Sequence, residues 1–274
     1  MNNEFLQILW QQHQKNWVKE VSAKQIIAWL HDLLGLLFPE KTLEMNKMQI
    51  LWQSSQERFA TLLQDSQVYK NIKPETAANE LYEALPAVYE ALQVDAVALL
   101  NNDPAASNIA EILNSHPGFF AVTTYRIAHA IATLSIPHIP RILSEYAHSH
   151  TGIDIHPTAG IDVPFVIDHG TGIVIGATTI IGKNVKLYQR VTLGALWVEK
   201  KLELSKRHPT VEHNVVIYAN ATVLGGSTVI GNNSVIGGNT FITKSVNPYS
   251  IVQQSGKNIT VSRELTEENN SFTI

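Results

Sequence analysis

Residues 209–242 read PTVEHNVVIYANATVLGGSTVIGNNSVIGGNTFI. An apolar residue returns at every sixth position: Val211, Ile217, Val223, Val229, Val235 and Phe241. A period of six is neither the 3.6 of a helix nor the 2 of an ordinary strand. It is the mark of a solenoid, in which three short flat strands make one coil and each coil covers the open face of the last. The same period runs upstream through Ile155, Ile161, Ile167 and Ile173, is interrupted at Thr179, and resumes at Val185 and Val191, with a companion series at Ile175, Ile181, Leu187 and Leu193. Glycines following aliphatic residues (Gly176, Gly182, Gly194, Gly225, Gly231, Gly237) and asparagines (Asn232, Asn233, Asn239) fit the tight turns, where they reach a positive φ at low cost. The pattern predicts a left-handed parallel β-helix over residues 150–250. It leaves open which of the two aliphatic series lines the axis.

Charge follows the same division. The 274 residues carry 20 Lys+Arg against 24 Asp+Glu, a net charge of −4, and are 45% hydrophobic but only 16% charged, against roughly 25% charged in an average soluble domain. Between Pro209 and Ser250 the only Asp, Glu, Lys or Arg are Glu212 and Lys244, and 13 of the 15 glycines follow His150. Residues 1–149 are instead rich in good helix formers. Their apolar residues recur at helical spacing, as in Leu6, Leu9, Trp10, then Ile26, Ile27, Leu30, Leu33, Leu34, and later Leu81, Leu85, Val88, Leu92. Pro39, Pro74, Pro104, Pro117, Pro137 and Pro140 punctuate them. The expected organisation is α + β: an N-terminal helical bundle (1–149), the β-helix (150–250) and a C-terminal tail (251–274). Trp10, Trp17, Trp29 and Trp52 read as core or interface aromatics.

Several function classes fall away. A mildly acidic chain without a basic block is a poor nucleic-acid binder. No apolar run approaches the roughly 18 residues of a membrane span, and residues 1–12 lack the basic start of an export signal, so a cytoplasmic protein is expected. The absence of cysteine removes disulfides, thiolate metal sites and a cysteine nucleophile.

The hexad breaks between Leu193 and Val211, where a charged loop, 195–208, is inserted. Insertions in a solenoid project from it and often border a binding face. His208 closes the loop beside Arg207, a cation suited to a carboxylate. His169 lies in the turn Asp168-His169-Gly170-Thr171-Gly172. Asp154 precedes it by 15 residues, near the length of one coil, so its carboxylate is expected beside the imidazole.

These segments resemble serine acetyltransferases, the hexapeptide-repeat acyltransferases that make O-acetyl-L-serine for cysteine biosynthesis. The likeness is carried by Asn102-Asp103-Pro104-Ala105, His116-Pro117-Gly118-Phe119, Tyr125-Arg126-Ile127-Ala128-His129, Asp154-Ile155-His156-Pro157, Ile167 to Gly176, Leu187-Tyr188-Gln189, Val191-Thr192-Leu193-Gly194 and Lys206 to Pro209. It covers residues from about 80 to 250. The resemblance implies that His169 is the general base and Asp154 its orienting acid. Asp103 and Asp168 would hold the ammonium of L-serine, and Arg207 and His208 its carboxylate. Ala195, Ala219 and Gly238 would line the path of acetyl-CoA between adjacent subunits, with no metal involved. It further implies a homotrimer or a dimer of trimers, and docking of Ile274 into O-acetylserine sulfhydrylase. Two departures stand out: Gly176-Ala177-Thr178 where the family often has Gly-Glu-Thr, and Arg190 where it often has Gly.

Three competing readings remain. One is an O-acetyltransferase with a different hydroxyl acceptor, which would keep the base and change the pocket. Another is a γ-carbonic-anhydrase-like zinc protein, motivated by the spacing of His208 and His213. The last is a non-catalytic scaffold for the sulfhydrylase.

Overall fold

A computed structural model of the chain describes residues 3–16, 22–64, 69, 71–197, 205–255 and 258–263. Among these, seven helices precede fifteen strands. The helices are α1 (Asn3–Asn16), α2 (Ala23–Leu37), α3 (Met45–Gln64), α4 (Pro74–Asn102), α5 (Ile109–Ser115), α6 (Pro117–Thr133) and α7 (Ile139–Thr151). Pro74, Pro117 and Pro140 fall in the first turns of α4, α6 and α7, where the missing N–H has no helical partner to lose. The predicted stripes close one core: Ile26, Trp29, Leu30 and Leu33 pack with Leu81 and Leu85. Helix α1 departs from this. Its apolar residues face outward, Trp10 being 64% exposed, so Trp10 is not a core residue of the chain. Trp17 lies outside the described residues.

The strands wind into a three-faced, left-handed parallel β-helix of about five turns. One face stacks β1 (Asp154–Ile155), β4 (Val174–Ile175), β7 (Thr192–Gly194), β10 (Thr222–Leu224) and β13 (Phe241–Ile242). A second stacks β2 (Gly160–Ile161), β5 (Ile180–Ile181), β8 (Thr210–Val211) and β11 (Val229–Ile230). The third stacks β3 (Phe165–Ile167), β6 (Val185–Leu187), β9 (Val216–Ile217), β12 (Val235–Ile236) and β14 (Ser250–Ser255), and β15 (Asn258–Arg263) folds back antiparallel on β14. Strand β14 pairs in parallel with β12, so the stack continues past residue 250 into the stretch expected to be tail.

Both aliphatic series line the axis, because the period is locally broken. Ile155, Ile161 and Ile167 point inward, and the next inward strand residue is Ile175, eight positions on; Ile181, Leu187 and Leu193 then continue at six. The first coil therefore needs 20 residues from Asp154 to Val174, whereas the next needs 18, from Val174 to Thr192. The two extra residues fall in the turn that carries His169. Ile173, Thr179, Val185 and Val191 are buried as well, as the residues entering each strand. A second slip occurs beyond Val223: the inward residues become Ile230, Ile236 and Ile242, while Phe241 is turned out and 59% exposed. The cause is the glycine pair Gly225-Gly226, which adds one residue to a corner. A side chain on Gly226 would run into the Lys206 backbone, and one on Gly225 (φ +106°) would meet Leu196. Both ends of the 195–208 loop thus lie on that corner.

Asn184, Asn214 and Asn233 hold one corner at φ near +57°, their amides hydrogen-bonded in a ladder at 3.0 Å. Asn239 also adopts a positive φ, as its turn role requires, and so does Arg190 (φ +59°) at the position expected to be glycine.

The two halves are clamped together. Arg126 on α6 donates to both carboxylate oxygens of Asp95 on α4 (2.5 and 3.0 Å) and to the carbonyls of Ile161 and Asp162 (3.3 Å each). The Phe165 N–H donates to the same carboxylate at 2.9 Å. Tyr125 donates to the Ala159 carbonyl. A Cβ at Gly118 would strike the Ile167 carbonyl, so glycine lets α6 start directly against β3, just before Asp168 and His169.

Candidate active site

His169 sits at the expanded corner between β3 and β4. The Gly170 N–H donates to the Asp168 carbonyl at 2.7 Å across it, which holds His169 at φ +58°. Left-handed backbone is costly for a non-glycine residue, and such positions cluster at functional sites. The turn lifts the imidazole into solvent, 71% of its side chain being exposed. Its Nε2 lies 3.8 Å from Asp168 Oδ1.

Asp168 faces the helical half. Its other oxygen is 3.2 Å from Lys186 Nζ, which also donates to the Asn102 carbonyl at 3.0 Å and lies 4.6 Å from the Tyr188 ring. Only 12% of the Lys186 side chain is exposed. Its ammonium is held above the usual lysine range despite burial, by Tyr188 and by Asp168. Asp103, the next residue after Asn102, caps the end of α4. It receives the Ala105 N–H and lies 3.6 Å from His116 Nε2. The sequence reading missed Lys186. Nothing within its own strand marks it, since its partners come from 84 residues upstream and from the preceding turn.

Arg207 and His208 lie at the next corner, beyond the other end of β4. The His208 ring lies against Gly176, where any Cβ would collide with it. Its Nδ1 accepts from the Thr178 N–H at 3.1 Å and lies 2.9 Å from the Thr178 hydroxyl. Burial, then the charges of Arg207, Lys206 and His156, depress the ring's pKa to about 4. At neutral pH the ring is therefore uncharged. With Nδ1 accepting, its one proton belongs on Nε2, an assignment made from the hydrogen-bond network.

The structure thus divides the expected residues into two clusters. Asp103, Asp168 and His169 converge at one corner, and Arg207 and His208 at another. The intervening strand separates them by on the order of 10–20 Å, beyond the reach of one small amino acid. Asp154 lies on the outer face of β1, beside Val174 of the next coil. The structure records no ion pair between Asp154 and His169, so the expected contact is not formed in this conformation. Ala219 and Gly238 meet on the corner line of His169: a Cβ on Gly238 would come within 3.0 Å of the Ala219 carbonyl. Ala195 lies with the other cluster, just after β7. Ile274 is outside the described residues.

His213 is not part of either cluster. Its Nδ1 accepts the Lys183 N–H at 2.9 Å at the third corner. Among the described residues no three His, Cys, Asp or Glu side chains converge on a point that would hold a metal ion, and no helix is long and apolar enough to cross a membrane.

No family model matches the chain. A plasmid-encoded serine acetyltransferase of Synechococcus elongatus is 47% identical over 142 residues, 50% of this chain and 44% of that protein. The serine acetyltransferase of Helicobacter pylori is 46% identical over 121 residues, 44% of this chain and 68% of that protein. The chain spans about half the length of most of the curated relatives it matches. The crystal structure of Entamoeba histolytica serine acetyltransferase 1 in complex with L-cysteine superposes with a TM-score of 0.72 at 33% identity, covering 86% of this chain and 88% of that one. A serine acetyltransferase in complex with CoA superposes with a TM-score of 0.60 at 25% identity, covering 87% and 98%. The helical bundle joined to a left-handed β-helix is shared along nearly the whole length of the Entamoeba structure, and the chain belongs to the serine acetyltransferase family.

Proposed function

We propose that the protein transfers the acetyl group of acetyl-CoA to the hydroxyl of L-serine, giving O-acetyl-L-serine and CoA, the step that leads into cysteine biosynthesis. The observation that carries this reading is the exposed imidazole of His169 on its strained turn beside the Asp168 carboxylate, with Lys186 tying Asp168 to the end of α4 that carries Asp103. His169 takes the hydroxyl proton as the serine oxygen attacks the thioester carbonyl. An imidazole is suited to this because it titrates near neutrality. Asp154 orients the ring and stabilises the imidazolium. For this the ring swings from its place near Asp168 toward β1. Asp103 and Asp168 hold the substrate ammonium, and Arg207 with the Nε2–H of His208 holds its carboxylate.

Since one chain holds these groups apart, we propose that the site forms between copies of a homotrimer. The His169 corner of one copy then faces the Arg207 corner of the next. Acetyl-CoA lies in the same groove, against Ala195, Ala219 and Gly238. A purely monomeric mass in sedimentation equilibrium, with activity retained, would contradict the shared site.

The test is release of CoA thiol from acetyl-CoA with a panel of hydroxyl acceptors. L-Serine is expected to be the fastest; no serine-dependent release, or a faster sugar or alcohol, overturns the reading. We also propose that Ile274 docks in O-acetylserine sulfhydrylase. Removing that one residue should then weaken capture of the sulfhydrylase, and unchanged binding would refute it.

A further inference from the structure

Thr178 is hydrogen-bonded to the loop end Lys206–His208 through its hydroxyl, its N–H and its carbonyl. Its hydroxyl oxygen accepts the N–H groups of Arg207 (2.9 Å) and His208 (3.0 Å). With both accepted, the hydroxyl proton is free to point at His208 Nδ1, 2.9 Å away, and the Thr178 N–H points there too at 3.1 Å. The Thr178 carbonyl accepts a further bond, from Lys206 Nζ at 2.7 Å. That ammonium also donates to the carbonyls of His208 (2.5 Å) and Pro209 (3.1 Å), which occupies all three of its protons. The returning end of the 195–208 loop is therefore fastened to the coil beneath it through one threonine.

We propose that Thr178 is the positioning residue of the carboxylate subsite, holding the loop end in place and fixing His208 as the Nε2–H tautomer with that proton turned toward the acceptor. The proposal rests on the reading of His208 as a carboxylate ligand. Its physical basis is that a neutral imidazole has one donor and one acceptor nitrogen, and two donors aimed at Nδ1 decide which is which. The charged groups facing the ring, Arg207, Lys206 and His156, all disfavour a second proton. The ring then meets a carboxylate as a fixed hydrogen-bond donor, and Arg207 supplies the charge. Residue 178 belongs to a strand turn 30 positions before His208, so the link exists only once the coils stack.

The experiment is nitrogen NMR of the full-length protein labelled at histidine, with His208 assigned by its loss in His208→Gln. Serine and acetyl-CoA kinetics are measured on Thr178→Val and Thr178→Ser. In the wild type His208 should be the Nε2–H tautomer and stay neutral from pH 8 down to about 5.5. In Thr178→Val the hydroxyl donor is gone and only the backbone N–H of residue 178 still aims at Nδ1, so a fraction of the Nδ1–H tautomer should appear. The serine KM should rise about tenfold, the usual worth of a lost bond to a charged group, with the acetyl-CoA KM within about twofold. Thr178→Ser, which keeps the hydroxyl, should behave as wild type. A wild-type His208 protonated on Nδ1, or titrating near 6.5, overturns the proposal even if the valine variant fails to fold. A tautomer wholly unchanged in Thr178→Val does so as well. A changed imidazole with an unchanged serine KM supports the positioning role and refutes the carboxylate reading of His208 instead.

Discussion

Replacing His169 with alanine is expected to lower turnover by roughly 10² to 10⁴, the usual contribution of a positioned general base. The expectation rests on where the side chain is held. An exposed histidine on a flexible loop would accept a proton equally well but would spend little time near the reacting oxygen. Here the turn is braced on both sides. The Ile173 N–H donates to the Gly170 carbonyl at 3.0 Å and the Gly172 N–H to the Gly152 carbonyl at 2.7 Å. A side chain on Gly170 (φ +83°) would drive into Ile153 and Ile167. The imidazole therefore leaves the coil from a fixed point. Its loss should appear in kcat for serine at saturating acetyl-CoA, with the fold intact by circular dichroism. Turnover within about threefold of wild type would remove His169 from the base role.

Replacing Arg126 with methionine is expected to destabilise the protein by about 3–5 kcal/mol, the range for stranding one partner of a buried ion pair. Asp95 is only 2% exposed. Without the guanidinium its carboxylate keeps just the Phe165 N–H. The effect should depend on pH, with a definite sign. Burial already raises the Asp95 pKa, opposed first by the hydrogen bonds from Arg126 and then by its charge. Removing Arg126 takes away the opposition, so the folded-state pKa rises further. A carboxyl whose pKa is higher folded than unfolded binds its proton more tightly in the folded state. The stability it contributes is present at low pH and is lost as pH rises from the unfolded carboxyl range through the raised folded value. The deficit of Arg126→Met should accordingly shrink on acidification. Adding Asp95→Asn should recover part of it at neutral pH, since the amide removes the unpaired charge and its carbonyl still accepts from Phe165. Urea unfolding at two pH values measures both. A deficit that does not depend on pH, or one that Asp95→Asn deepens, would contradict the account.

The two variants probe different kinds of legibility. His169 is visible in the sequence because it stands beside an acid in a glycine-flanked turn, Asp168-His169-Gly170-Thr171-Gly172. Arg126 is visible only as part of a family motif, with no mark of its partner. Asp95 reads as one more acid in a helix, and its role appears only when α6 lies across α4 and the first coil. The same holds for Lys186, whose position in strand β6 carries no local signal, and for Thr178, which departs from nothing in the repeat. Trp10 shows the converse: a helical stripe legible in the sequence meets no partner among the described residues.

By itself the sequence determined the repeat, the helical half before it and the insertion at 195–208 where the period fails. Six-residue repeats, each a short strand and a turn, can bury an aliphatic ladder only by stacking, so periodicity alone implies the coil. That insertion had to leave the coil as a loop, whereas the two extra residues at 168–172 show only in the strand register, because Ile167 and Ile173 keep the spacing of six across them. Tertiary structure alone decided which side chains line the axis, because one added residue at Gly225-Gly226 exchanges Val229, Val235 and Phe241 for Ile230, Ile236 and Ile242. It also decided that His169 and His208 stand at opposite ends of one strand. Sequence separation counts residues along the chain, whereas a three-cornered coil sends successive turns in different directions. Which groups meet is therefore set by the corner each one occupies.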